Sequence, residues 1–322
     1  LGNVPSFLTR NNASNFNRSK MRGFLDIHDG SDRADSLDGK FPAEKFFSLV
    51  GTNAKDYSVA MGWSTRAIGQ MSDGLVRISN AAAKGTPRGF VHRSHSGHYG
   101  IVNSEEGYQN LTRFLFGDVR VDGKLVIDDI RLPQRVEKAR LEGKEVRASY
   151  HIESVVRPRG ARYDLHRRLV SENSAIFRSY DEIVAGRHPH LFSIFLDGEQ
   201  RTRPGRGPLV FAIDLGVRVP EYEIERFSII PDIHIEGAYI YRETIIIAAI
   251  PPKKGETAWS IRYGTNPTAR NPTPREAKLD GLVEPQANPA GVDPVLKFTI
   301  PIRTSGRPGI DASLVLTARP WT

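Results

Sequence analysis

Two hydrophobic rhythms divide the chain. Before about residue 120, short apolar runs alternate with Gly, Asn and Ser loops. Ala43 to Val50 (AEKFFSLV) ends in an apolar run closed by Gly51, the pattern of a strand buried in a parallel sheet. Gly89 to His92 reads as a second short strand, and Val59–Gln70 is helix-like. The stretch SEEGYQNLTRFLFGD predicts a helix: Ser104 is its N-cap, Glu105 and Glu106 sit at its positive end, and Gly117 closes it. Tyr108, Leu111, Phe114 and Leu115 share one face, which should pack inward. Residues 132–143 suggest a short charged connecting helix with Pro133 in its first turn.

Beyond residue 145 the period becomes two. VRASYHIESVV, HLFSIFLDG, PLVFAIDLGVRV, GAYIYRETIIIAAI, AWSIRYG, VLKFTIPI and ASLVLTARPW are strand candidates separated by Gly, Pro, Asn and Asp clusters. So many strands with turn signals between them read as an antiparallel sandwich. Thr265 to Pro294, rich in Pro and Asn, reads as one long surface loop, and the first 40 residues are polar and irregular. The expected organisation is therefore α/β plus all-β: residues 1–120 an α/β portion, 121–145 a helical linker, 146–322 a β-sandwich.

Composition narrows the partners. At 322 residues, 39% hydrophobic and 25% charged, the chain can bury a sizeable core. No apolar run approaches the ~18 residues of a membrane-spanning helix. The absence of Cys removes disulfides, thiolate nucleophiles and cysteine metal sites, and makes a cytoplasmic compartment the favoured placement. A net charge of +8 invites nucleic acid, but the basic residues are scattered through segments such as Arg157–Arg159, Arg162, Arg167–Arg168 and Arg201–Arg203, with no recognition motif. A solvated basic surface that attracts anionic membranes or substrates is the better reading, with no nucleic-acid partner.

The candidate chemistry lies at Asp73 and His95. Asp73 stands in Ser72-Asp73-Gly74-Leu75-Val76, a tight Asp-Gly turn; His95 follows the Gly89–His92 strand, among Ser94, Ser96 and Gly97. A hydrolytic serine needs a base to take its proton, and that base needs an anion to orient it. An acid and a histidine projecting from the ends of successive strands meet that need.

Residues 41–118, above all SDGLVRISNA and FVHRSHSGHYGIVNSEEGYQNLTRFLFGD, resemble the C-terminal part of the α/β-hydrolase core in serine lipases and esterases. The resemblance implies that Asp73 is the triad acid and His95 the general base, that Asn103 and Ser104 cap the last helix beside the histidine loop, and that the substrate is a small-molecule or lipid ester met near a lipid surface. It implies no cofactor. Residues 146–322 resemble a generic accessory sandwich. The family places its nucleophile elbow, G-x-S-x-G, ahead of the acid, and none occurs in this sequence. The near miss Gly62-Trp63-Ser64-Thr65-Arg66 lies only nine residues before Asp73. With Leu1 in first place, this reads as a sequence whose nucleophile-bearing half is absent, leaving a fragment inactive by itself.

Other features point elsewhere or nowhere. His92, His95 and His98 recur every third residue, which alternating strand geometry should keep from forming a metal site. Asp214, Asp232 and His234 show no ligand-like spacing. An alternative function is a lipid-, glycan- or partner-binding sandwich on an inactive hydrolase-like scaffold, using Tyr239, Tyr241, Trp259 and Tyr263.

Overall fold

A computed structural model describes residues 18–28, 30, 34–54, 71, 76–95, 97–159, 161–200, 207–225, 232–250, 260–266, 275–276, 278–283 and 295–321. The chain is mostly β and divides into two units: Leu1–Phe114 with Ser171–Ser174, and Leu115–Val170 with Ala175–Thr322.

In the first unit, β1 (Ser48–Gly51) and β2 (Arg88–Val91) pair in parallel, from Ser48 opposite Arg88 to Gly51 opposite Val91. These are the two apolar runs of the sequence, shortened to four residues each. Val50, Ile78 and Phe90 form the small core beneath them. The helix Glu105–Phe116 begins where expected, with Ser104 Oγ accepting the Gly107 N–H at 3.0 Å.

The buried face of that helix is not the predicted one. Tyr108, Leu111 and Leu115 are 61%, 56% and 56% exposed, whereas Gly107, Asn110 and Arg113 are buried. Of the four apolar positions only Phe114 turns inward, stacking on Phe47 with ring centroids 5.5 Å apart. The physical reason is close approach. A Cβ at Gly107 would overlap the Ile101 carbonyl, so the helix backbone lies directly on the preceding turn and its small and polar stripe goes inside.

The second unit holds fourteen described strands: β3 (Val119–Arg131), β4 (Val146–Pro158), β5 (His166–Arg168), β6 (Ile176–Ser179), β7 (His190–Leu196), β8 (Leu209–Arg218), β9 (Glu221–Ile224), β10 (Ile233–Glu236), β11 (Tyr239–Ile250), β12 (Ser260–Asn266), β13 (Arg275–Glu276), β14 (Lys278–Val283), β15 (Val295–Arg303) and β16 (Gly309–Pro320). One sheet runs β10-β9-β4-β8-β11-β12-β13, with β5 and β6 also on β4; the other runs β14-β15-β16-β3-β7. Every pairing in both is antiparallel, and both sheets feed one hydrophobic core. Alternation does the sorting: Val146, Ala148, Tyr150, Ile152 and Val156 of β4 point into the core, while Arg147 and Ser149 face solvent.

The seven long period-two segments are all strands, and three expectations need correction. The 121–145 linker is helical only over Gln134–Leu141; its first part is β3, a central strand of the second sheet. The boundary between units falls at 114/115 rather than at 120. The Thr265–Pro294 loop contains β13 and β14, which pair with β12 and β15 respectively. Strands β8 and β9 run end to end along one edge of β4, broken only at Val219–Pro220, and β11 and β10 break opposite them at Gly237–Ala238. There the chains cross so tightly that a Cβ at Gly237 would overlap the Val219 carbonyl oxygen.

Candidate active site at the carboxyl ends of the parallel strands

Sites in parallel α/β sheets open at the carboxyl ends of the strands, so the segments leaving β1 and β2 come first. Thr52 N donates to Val91 O at 3.0 Å and Asn53 N to Arg93 O at 3.1 Å, which carries the pairing past the end of the ladder. This brings Thr52 Oγ1 within 3.3 Å of His92 Nδ1. Glu172 Oε2 lies 3.5 Å from the same nitrogen. His92 is thus an imidazole oriented by a hydroxyl and a carboxylate.

Beyond His92 the chain forms a pinned loop. Arg93 holds the first turn of the helix through Glu106 Oε2, with Nε at 3.0 Å and Nη2 at 2.8 Å. Ser94 is buried and bridged to Gly100, and Ile101 N donates to Ser94 O at 3.1 Å. Gly97 takes a φ of +91°, a conformation other residues rarely adopt. Asn103 donates its side-chain N–H to Gly97 O at 3.1 Å, so it braces the histidine loop, while Ser104 alone caps the helix. His95 stands exposed on this loop, and the His98 ring meets the Tyr99 edge at 4.9 Å. Among the described residues these three histidines do not gather into a metal-ligand group.

Asp73, together with Ser72, Gly74, Leu75 and the Gly62–Arg66 near miss, lies outside the described residues. Sequence reading passed over Thr52 and Glu172. Thr52 carries no motif, and Glu172 sits 80 residues after His92, a pairing visible only once the chain is folded.

The sandwich brings Ser, His and Asp together a second time, in a different order. Ser193 Oγ donates to Asp122 Oδ1 at 2.6 Å and lies 3.2 Å from His190 Nε2. Burial by itself would raise the Asp122 carboxyl; His190, 4.0 Å away, the Arg120 guanidinium and the Ser193 hydroxyl outweigh it and bring the pKa down to about 2. A nucleophile would donate to the histidine with the acid behind it. Here Ser193 is fully buried and donates straight to the acid, so the group is a structural node. Nearby, Ser154 Oγ and His166 Nε2 lie 2.8 Å apart with both residues fully buried. Burial, helped by Arg168 and His190, holds the His166 pKa well below the usual imidazole value, so the ring is neutral.

The aromatics singled out as binding groups divide. Tyr241 is buried, Trp259 lies outside the described residues, and Tyr239 donates its hydroxyl to Glu153 Oε2 at 2.8 Å beneath the Arg242 guanidinium. No protein-family model, curated protein or solved structure matches this chain.

Proposed function

We propose that residues 41–118 carry the acid and histidine of a serine acyl-hydrolase of the lipase or esterase type. The observation that supports this most directly is the parallel pair β1–β2 with a pinned histidine loop at its carboxyl end, followed at once by a capped helix. His95 takes the proton from a serine hydroxyl as that oxygen attacks the ester carbonyl, then returns it to the leaving alkoxide. Asp73 holds the imidazole in the productive tautomer. Water, deprotonated by the same histidine, attacks the acyl-enzyme and releases the acid. Exposure suits His95 to this work, since a substrate has to reach it.

A second assignment has its own observation. His92 Nδ1 already faces a carboxylate, Glu172 Oε2, which is how a triad acid meets its base. In that version His92 is the base, Glu172 the acid, and His95 lines the pocket.

The test is p-nitrophenyl ester hydrolysis by the product of the complete reading frame that encodes this chain, with His95→Ala and His92→Ala compared side by side. Loss of a triad base costs at least ~10³-fold in kcat. A loss of that size confined to His95→Ala supports the first assignment, and one confined to His92→Ala supports the second. Full activity in both variants, or no esterase activity in the parent, overturns the hydrolase reading.

A further inference from the structure

The described residues bring one set of metal-ligating side chains together, on the outer face of the first sheet of the sandwich. Strands β9 and β10 pair with His234 directly opposite Glu223 and Glu236 directly opposite Glu221. Tyr222, Ile224, Ile233 and Ile235 pack into the core or against it, so alternation sends Glu221, Glu223, His234 and Glu236 to the other face. His234 Nδ1 lies 3.2 Å from Glu221 Oε2 and 4.0 Å from Glu223 Oε1, and the three ligand atoms all fall within 4.8 Å of one another.

We propose that Glu221, Glu223 and His234 form a binding site for a divalent cation of the zinc class. Three arguments carry it. The first is donor chemistry: two carboxylate oxygens and one imidazole nitrogen from a rigid ladder are a three-ligand zinc set that leaves one position for water. The second is geometry. Zinc bonds of about 2.1 Å place tetrahedral ligand atoms about 3.4 Å apart. The His234–Glu221 separation of 3.2 Å is already near that edge, and His234 and Glu223 at 4.0 Å stand about 0.6 Å beyond it. The two carboxylate oxygens, within 4.8 Å of one another, can be drawn in by side-chain rotation.

The third argument is charge. Glu221 and Glu236 are like charges in direct register, an arrangement that destabilises a sheet unless a cation intervenes. The guanidinium of Arg147, in register with Glu223, is drawn instead to Glu145 at 2.7 Å and Glu225 at 3.9 Å. A chain of net charge +8 thus gathers three carboxylates around one imidazole here. An open cavity of about 310 Å³, lined by Arg147, Ser149, His151, Glu221 and Glu223, adjoins the cluster and gives solvent and ions access to it. The sequence hid the site because Glu221 and Glu223 stand 13 and 11 residues before His234 and meet it only across the ladder.

Isothermal titration of the full chain with ZnCl₂, and with CoCl₂ for its visible absorption, tests the proposal. The parent is expected to bind one equivalent that His234→Ala and Glu223→Gln each weaken at least about tenfold. His98→Ala, in the other unit, should bind like the parent. The substituted side chains point away from the core, so far-UV circular dichroism should be unchanged and a loss is not a folding failure. Saturating zinc should raise the parent's melting temperature and leave that of His234→Ala where it was. Equal affinity in the parent and His234→Ala, or no binding by the parent, overturns the site.

Discussion

Replacing Asp122 with Asn tests the buried polar node of the sandwich. The carboxylate accepts from Ser193 and pairs with Arg120, whose Nε lies 3.0 Å from Oδ2, and with Arg319 at 3.8 Å. Its pKa falls from the ordinary 3.8 to about 2. A lowered folded-state pKa means that the unfolded chain takes up a proton first as pH drops. The stabilisation is therefore complete above about pH 4 and drains away as pH falls toward 2. A gap of about 1.8 units corresponds to about 2.5 kcal/mol at pH 7, about 1.3 kcal/mol at pH 3 and about 0.4 kcal/mol at pH 2. Asn keeps an oxygen for Ser193 but leaves the Arg120 charge without its counter-ion, so Asp122→Asn should lose roughly these amounts. Urea unfolding of parent and variant at each pH supplies the difference, in which the other carboxylates cancel. Trp321 reports on the right unit, because its ring packs on Phe195 at 4.8 Å. A destabilisation that stays constant from pH 7 to pH 2 would refute the electrostatic account.

Two further perturbations probe the same unit. His166 is held neutral, so the unfolded chain gains a proton below about pH 6.5 that the folded chain does not; His166→Gln should flatten the decline in urea midpoint between pH 7 and pH 5, and parallel declines in both proteins would contradict this. Gly237→Ala should cost about 1–3 kcal/mol, because the new methyl meets the Val219 carbonyl rather than a yielding side chain, and an unchanged melting temperature would show that no such crossing exists.

The strands that the sequence announced are those whose alternation runs for seven residues or more, such as Leu209–Arg218 and Gly309–Pro320. Strand β3 escaped because Asp122, Gly123, Asp128 and Asp129 interrupt VRVDGKLVIDDIR, although its buried positions still alternate over much of its length. Strands β9 and β10 are four residues each, too short for a period to declare itself, and they are strands because the long β4 and β11 neighbourhoods carry them along. The helix Glu105–Phe116 shows the opposite failure. Its apolar spacing was plain, yet the contact of Gly107 with Ile101 decided which side went in. Of the candidate site, His95 and the strand before it were legible because chain neighbours build that loop. Glu172 meets His92 across 80 positions and Ser193 meets Asp122 across 71, and no local pattern encodes such meetings.

Strands β13 and β14 are consecutive pieces of one ribbon, the first hydrogen-bonded to one sheet and the second to the other. A sandwich with two independent sheets has four open margins, each a template for adding a foreign strand. Here the crossing ribbon seals two of them on the same side, ending one sheet in a two-residue strand and the other in a six-residue strand. The two sheets cannot part along that side without tearing both ladders, so any breathing of the core has to begin at the opposite margins: β5 and β6 on the far edge of β4 in one sheet, and β7 in the other. Those of the first sheet are kept poor templates by their shortness and charge: β5 has three residues and carries Arg167 and Arg168, and β6 has four and carries Arg178.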